Sequence, residues 1–208
     1  MEEQKKISVS GVLSEGFGIG MKNSVSLLVA TVLWLVTIWI PYLNVGTTIA
    51  MNSIPIELSK GKIISPTFIF DSKYRRYMGE YFTLIGLMYM AIIPAFFFMV
   101  VPAIIISISW SLAIFILLDK GVAPGEALVR SNKATYGYKL TIFGVQFILG
   151  VVYGVLFMIF SLIPFIGILL VLCLIVGFVV INLGCNAVIY RNLVSEAENK
   201  EEAPETVE

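Results

Sequence analysis

Charged side chains are absent from three long stretches of the chain: Asn23 to Ile56, Tyr81 to Leu118 and Leu140 to Tyr190. As single helices rising ~1.5 Å per residue, these runs would measure roughly 51, 57 and 77 Å, against a bilayer core of ~30 Å. Each is too long for one crossing and about right for two short ones. Near the middle of each lies a proline in an apolar setting, Pro41, Pro102 and Pro164. Proline removes a backbone donor and clashes with the preceding turn, so it marks a break between paired helices. The pattern predicts six spans arranged as three hairpins: Ser24–Ile40, Val45–Leu58, Tyr81–Val101, Ala103–Leu118, Thr141–Ile163 and Phe165–Tyr190. The second is the most polar, with Asn44, Thr47, Thr48, Asn52 and Pro55. It is expected either to be broken or to enter the membrane without crossing. Pro94 is expected to kink the third.

The segments between hairpins carry a helical period of their own. Pro66 follows Ser65 as a helix start, and Phe70, Tyr74, Tyr77 and Tyr81 then recur on one face. Asp71 with Arg75 and Arg76 with Glu80 are four apart, as ion pairs on a helix are. Pro124 opens a second such segment. Ala127, Leu128, Ser131, Ala134, Thr135 and Tyr138 form its softer face, and Glu126 stands four before Arg130. Val9, Val12, Leu13 and Phe17 sketch a third, diluted by Gly16, Gly18 and Gly20. The order amphipathic helix, span, proline, span thus occurs three times. Pro66, Gly79, Thr83 and Gly86 also match Pro124, Gly137, Thr141 and Gly144 without a gap. The fold class that follows is all-α: a polytopic membrane helix bundle of six transmembrane helices with amphipathic interfacial helices. Residues 1–23 form the N-terminal arm, 24–191 the membrane domain and 192–208 an acidic tail.

Composition agrees with this picture. The chain has 208 residues, 58% of them hydrophobic and 13% charged, whereas soluble domains are about 25% charged. Fourteen basic residues balance fourteen acidic ones, and there is no histidine. Imidazole catalysis and imidazole metal ligation are excluded. Basic surplus, the mark of a nucleic-acid binder, is lacking. With three hairpins, every lysine and arginine falls on one side, which basic residues mark as cytoplasmic. Both termini are then cytoplasmic in the inner membrane. The tail carries six Glu and one Lys; it is expected to be disordered, either as a solvated end or as a dock for a basic partner.

The stretch Ala127, Leu128, Ser131, Thr135, Gly137 before the fifth span, and Ala187, Tyr190, Arg191, Leu193 after the sixth, resembles a known family. It is similar to the largely uncharacterised prokaryotic six-span membrane proteins that include the membrane domain fused to some glycerophosphodiester phosphodiesterases. The resemblance covers roughly residues 8 to 194. It implies a six-helix membrane domain and no activity, because the phosphodiesterase chemistry of the fused relatives lies in a separate soluble domain.

Candidate chemistry is sparse. Ionisable side chains inside a membrane mark ion or proton paths, and the spans hold none beyond Tyr, Cys and residues at their edges, such as Glu57, Glu80 and Asp119. Asn182 and Asn186 share a helix face; they read either as a polar path, with Asn44 and Asn52, or as interhelical hydrogen-bond partners, as does Gln146. Gly150 and Gly154 have the spacing of a helix-packing seam. Cys173 and Cys185, twelve apart on one helix, lie ~18 Å apart along its axis and cannot bridge. No catalytic pair, metal cluster or cofactor motif is present. The expected function is non-catalytic: a scaffold, accessory subunit or lipid-organising element. Arg75, Arg76, Arg130 and Lys133 would face anionic headgroups, and a membrane protein is the candidate partner. The alternative is a small transporter or flippase for a lipid-like or neutral solute, argued from the repeat and the proline breaks.

Overall fold

A computed structural model describes residues 7–195. Most of the acidic tail and the first six residues lie outside them, so the expectation of a disordered tail is not addressed there. Regular structure among the described residues is helical, with no strand. They form nine α-helices: α1 (Val9–Lys22), α2 (Ser24–Thr37), α3 (Pro41–Ser59), α4 (Met78–Phe98), α5 (Val100–Ser109), α6 (Ala113–Lys120), α7 (Pro124–Ala134), α8 (Lys139–Ser161) and α9 (Ile166–Tyr190).

Local chemistry sets their limits. Pro41 and Pro124 each occupy the first turn, where no N–H partner is needed. Ser8 caps α1 by accepting from the Gly11 N–H at 3.1 Å. Gly121, at φ +62°, closes α6 in the left-handed conformation that a β-carbon disfavours. The breaks expected near Pro41, Pro102 and Pro164 are found at residues 38–40, at Met99 and at 162–165. At the last of these, Phe165 has φ 63° and ψ −60°, and the Ile166 N–H reaches the Pro164 carbonyl at 2.8 Å, a strained γ-turn. α4 runs unbroken through Pro94.

Four segments are long and apolar enough to cross a membrane: 72–98, the broken helix α5–α6 over 100–120, 139–161 and 166–195. α1 and α2, bent by 79° at Asn23, count as a fifth if taken together. α3 is not among them by composition. It instead holds more buried residues than any other described helix, with Ile49, Ala50 and Ile54 fully buried and Thr47 and Ser53 nearly so. It pairs antiparallel with α2 through Thr37 and Thr47 and packs on α9 and α6.

The ends of α3, α6 and α9 come together at one pole. There Tyr190 donates to Asp119 at 2.7 Å, Lys60 also pairs with Asp119, and Arg191 pairs with Glu15. The buried residues of α4 and α8 (Leu84, Ile142, Val145, Leu149) lie in their first halves, and those of α9 mainly from Val180 onward. The core therefore sits toward the charged pole. At the other pole apolar side chains face outward, among them Phe97, Phe98 and Phe165, at 83%, 87% and 95% exposure.

Two of the three connecting segments differ from the sequence pattern. Residues 66–77 form two 3-10 turns, Pro66–Phe70 and Ser72–Tyr77. Three residues per turn replace 3.6, so the aromatic face breaks up: Tyr74 is buried while Phe70 is 41% exposed. Asp71 consequently meets Lys73 at 3.4 Å in place of Arg75. α1 is helical, but its buried residues are Val12, Gly16 and Gly20, and Phe17 points out. It crosses the C-terminal half of α9. α7 behaves as its pattern predicts, with Ala127, Ser131 and Thr135 fully buried against the bundle.

Candidate functional site

The polar side chains of the apolar helices are organised in two clusters. On α8 and α9, three amides close a ring. Asn182 Nδ2 donates to Gln146 Oε1 at 2.9 Å, Gln146 Nε2 to Asn186 Oδ1 at 3.4 Å, and Asn186 Nδ2 to Asn182 Oδ1 at 2.7 Å. Each amide donates once and accepts once, which suits a setting without water. The second cluster joins α2, α3 and α4. Trp34 Nε1 donates to Thr48 Oγ1 at 2.9 Å, which donates to Asn44 Oδ1 at 3.1 Å. Asn52 Nδ2 reaches the Thr48 carbonyl and the Tyr81 hydroxyl. The four asparagines therefore fall into two hydrogen-bonded groups. Asn182 joins Asn186 through the ring, and Asn44 joins Asn52 through Thr48.

Beside the amide ring lies a cavity of about 310 Å³, walled by Ser107, Ser111, Phe115, Ile142, Gln146 and Asn186. It faces the interruption between α5 and α6 at residues 110–112. Such a break frees backbone groups that the membrane cannot hydrate. Ser131 of α7 serves both sides of it. Its Oγ donates to the Ser109 carbonyl at 2.7 Å and accepts from the Leu112 N–H at 3.2 Å. Thr135 Oγ1 lies 3.3 Å from the same carbonyl, but its nearer acceptor is the Ser131 carbonyl at 3.0 Å.

The basic residues expected at headgroup depth are in varied positions. Arg130 holds Glu126 through Nε at 3.0 Å and Nη2 at 2.7 Å, the i,i+4 pair that its spacing predicts. Lys133 is exposed in the last turn of α7. Arg75 lays its stem over α3, where a β-carbon on Gly46 would come within 2.9 Å of its Cγ. Arg76 is exposed on the 3-10 turn. Nearby, Asp71 accepts the Lys73 backbone N–H at 3.0 Å; that bond, joined by the Lys73 charge, holds its carboxyl below the usual carboxylate range. Asp119 is not the solvated edge group that its position suggests. Its side chain is 10% exposed and binds Lys60 and Tyr190, with Lys120 at 3.9 Å.

Gly150 and Gly154 face open space, with nothing within 4 Å of a β-carbon at either. Within the chain, the glycine seam is elsewhere. A β-carbon on Gly16 would lie 2.7 Å from the backbone of Cys185, and one on Gly184 only 2.1 Å from the Gly16 carbonyl. The packing signal was Gly16-x-x-x-Gly20 on α1, which the apolar pattern of that helix obscured. Cys173 is exposed and Cys185 is buried, and both are free thiols.

Among the described residues no group of three His, Cys, Asp or Glu could hold a metal ion. The groups that sequence reasoning passed over are Ser131 and Thr135 as keepers of a helix break, and Asp119 as the centre of the charged pole. An i,i+4 pair of small hydroxyls on a soft helix face was the available signal for the first two. Comparison with family models, with curated proteins and with solved structures finds no match.

Proposed function

We propose that this chain is a non-catalytic protein of the cytoplasmic membrane that organises anionic lipid and serves as a scaffold or accessory subunit for a membrane partner. On this reading the helices make six crossings as three hairpins. α2 contributes one, α3 a second in the shelter of the bundle, and both termini and the charged pole face the cytoplasm. The likeness to the membrane domain of phosphodiesterase fusions belongs to the same proposal, and Ser131, Thr135 and Tyr190 act in it as packing residues.

The observation that carries the reading is a division of polar groups. Those within the apolar helices hydrogen-bond one another, as the amide ring does. Basic heads remain available: Arg75, Arg76 and Lys133 are exposed and carry no ion pair among the described residues. Each cation near an anionic surface attracts it by about 1 kcal/mol. Lipid retention measured by native mass spectrometry tests this. The wild type should keep phosphatidylglycerol in preference to phosphatidylcholine, and changing Arg75, Arg76, Arg130 and Lys133 to Gln should erase the preference. Equal retention of both lipids by the wild type would defeat the proposal.

A transporter reading is favoured by one observation, the 310 Å³ cavity against a broken helix. Broken helices that border cavities are a transporter device. A cysteine at Ser111 that reacts with a small water-soluble thiol reagent would support it, and an inert one would remove it.

A further inference from the structure

Where α3 ends against the 3-10 turns and α6, the charged pole opens into a cleft of about 300 Å³. α3 and its extension contribute Ser53, Glu57 and Lys60, the turn contributes Tyr74 and Arg76, and α6 contributes Asp119. Tyr74 is 5% exposed, and its hydroxyl has no hydrogen-bond partner among the described residues. Neighbouring Ser53 spends its proton on the Ala50 carbonyl at 2.7 Å, and neither it nor Lys73 meets hydrogen-bonding geometry with the phenol. A buried donor without an acceptor is costly and calls for an explanation.

The charges around it are unevenly committed. Glu57 is neutralised by Lys62 at 2.6 Å, and Asp119 by Lys60. Lys73 stands 4.7 Å over the Tyr74 ring and 3.4 Å from Asp71. Arg76 has no ion pair among the described residues. A phenol donor, a free guanidinium and a shared ammonium converge on a space at the lower limit for small-molecule pockets, about 300 Å³. An anion with several acceptor oxygens satisfies all three, and a phosphate group takes an arginine fork directly.

We propose that this cleft binds one phosphate group, as the headgroup of a phospholipid or as a free phosphate, with Tyr74 and Arg76 as its ligands. The proposal rests on the lipid reading above only in taking this pole to lie at headgroup depth. It differs in being a single site, not a diffuse attraction.

The test uses the full chain in dodecyl maltoside micelles, which contain no phosphate. Phosphatidylglycerol, diacylglycerol or inorganic phosphate is added, and bound mass is read by native mass spectrometry. One phosphatidylglycerol per chain, with no retained diacylglycerol, assigns the site to lipid. Binding of inorganic phosphate alone assigns it to free phosphate. In either case Tyr74→Phe, which keeps the buried ring and every charge, should weaken binding about tenfold, the worth of one hydrogen bond to a charged acceptor. Arg76→Gln should weaken it at least as much. Retention that Tyr74→Phe and Arg76→Gln do not alter overturns the site, as does failure of both phosphate probes to bind. Because Tyr74→Phe leaves the charge intact, its failure would not touch the general attraction to anionic lipid.

Discussion

Ser131 shows how much one hydroxyl does in a membrane fold. It bonds the carbonyl of Ser109 and the N–H of Leu112 across the α5–α6 break. Ser131→Ala leaves the Leu112 N–H buried without its acceptor and takes from the Ser109 carbonyl its closest hydroxyl donor. A loss of about 1–3 kcal/mol is expected in detergent unfolding, whereas exposed Ser161→Ala should change nothing measurable. Glycine offers a parallel case. Gly184→Leu drives a side chain into the Gly16 carbonyl, so it should lower the unfolding temperature sharply, overpacking costing about 1–3 kcal/mol or more. Gly154→Leu, with open space beside it, should be neutral. The amide ring was legible because two asparagines four apart share a helix face. The duty of Ser131 was not, because the break it serves falls at Trp110, Ser111 and Leu112, with no proline or glycine to announce it.

At the scale of elements, apolar periodicity located most boundaries within a few residues but misread the faces of two elements, the 66–77 segment and α1. α3 reads as the weakest span, and by composition it stands outside the candidate spans; its polar residues lie inside the bundle, where tolerance for lipid is not needed. Asn44, Thr47 and Thr48 find partners inside the bundle. The 66–77 segment looked helical from its aromatic spacing, yet 3-10 turns form and carry Tyr74 inward. The apolar face of α1 was placed on Val9, Val12, Leu13 and Phe17 because its glycines were counted as dilution, when Gly16 and Gly20 are part of its contact surface. The arrangement predicts how lipid distributes over the elements. A phospholipid bearing a photoreactive acyl chain should label α4, α8 and the first half of α9, where Met90, Met158 and Leu169 are 76%, 67% and 63% exposed. Residues 46–56 of α3 should stay unlabelled in peptide mapping. Labelling of α3 equal to that of α8 would show that the central helix faces lipid.

For the whole molecule, the distribution of the fourteen basic residues was the most informative property of the sequence. It proposed that the ends of three hairpins lie on one side. In the fold, the ends of α3, α6 and α9 meet at one pole through Lys60, Asp119 and Tyr190, and Asn23 accepts from the Ile64 N–H at 3.3 Å. Polarity relative to the cell then rests on the rule that basic residues stay cytoplasmic. Single cysteines in a chain with Cys173→Ser and Cys185→Ala make this measurable. At Lys62 and Gly125, beside the charged pole, and at Asn199 in the tail, they should be shielded from an impermeant maleimide in intact cells and react after lysis. At Trp39 and Phe165, exposed at 88% and 95% near the opposite turns, they should react in intact cells. Reaction from outside at Lys62 or Gly125 would mean that α2 and α3 do not both cross, or that the whole bundle is inverted. The two cases separate at Trp39, which is silent in an inverted bundle. If α2 alone crosses, Trp39 still reacts from outside while Phe165 falls silent, because one missing crossing in the first hairpin reverses every later turn.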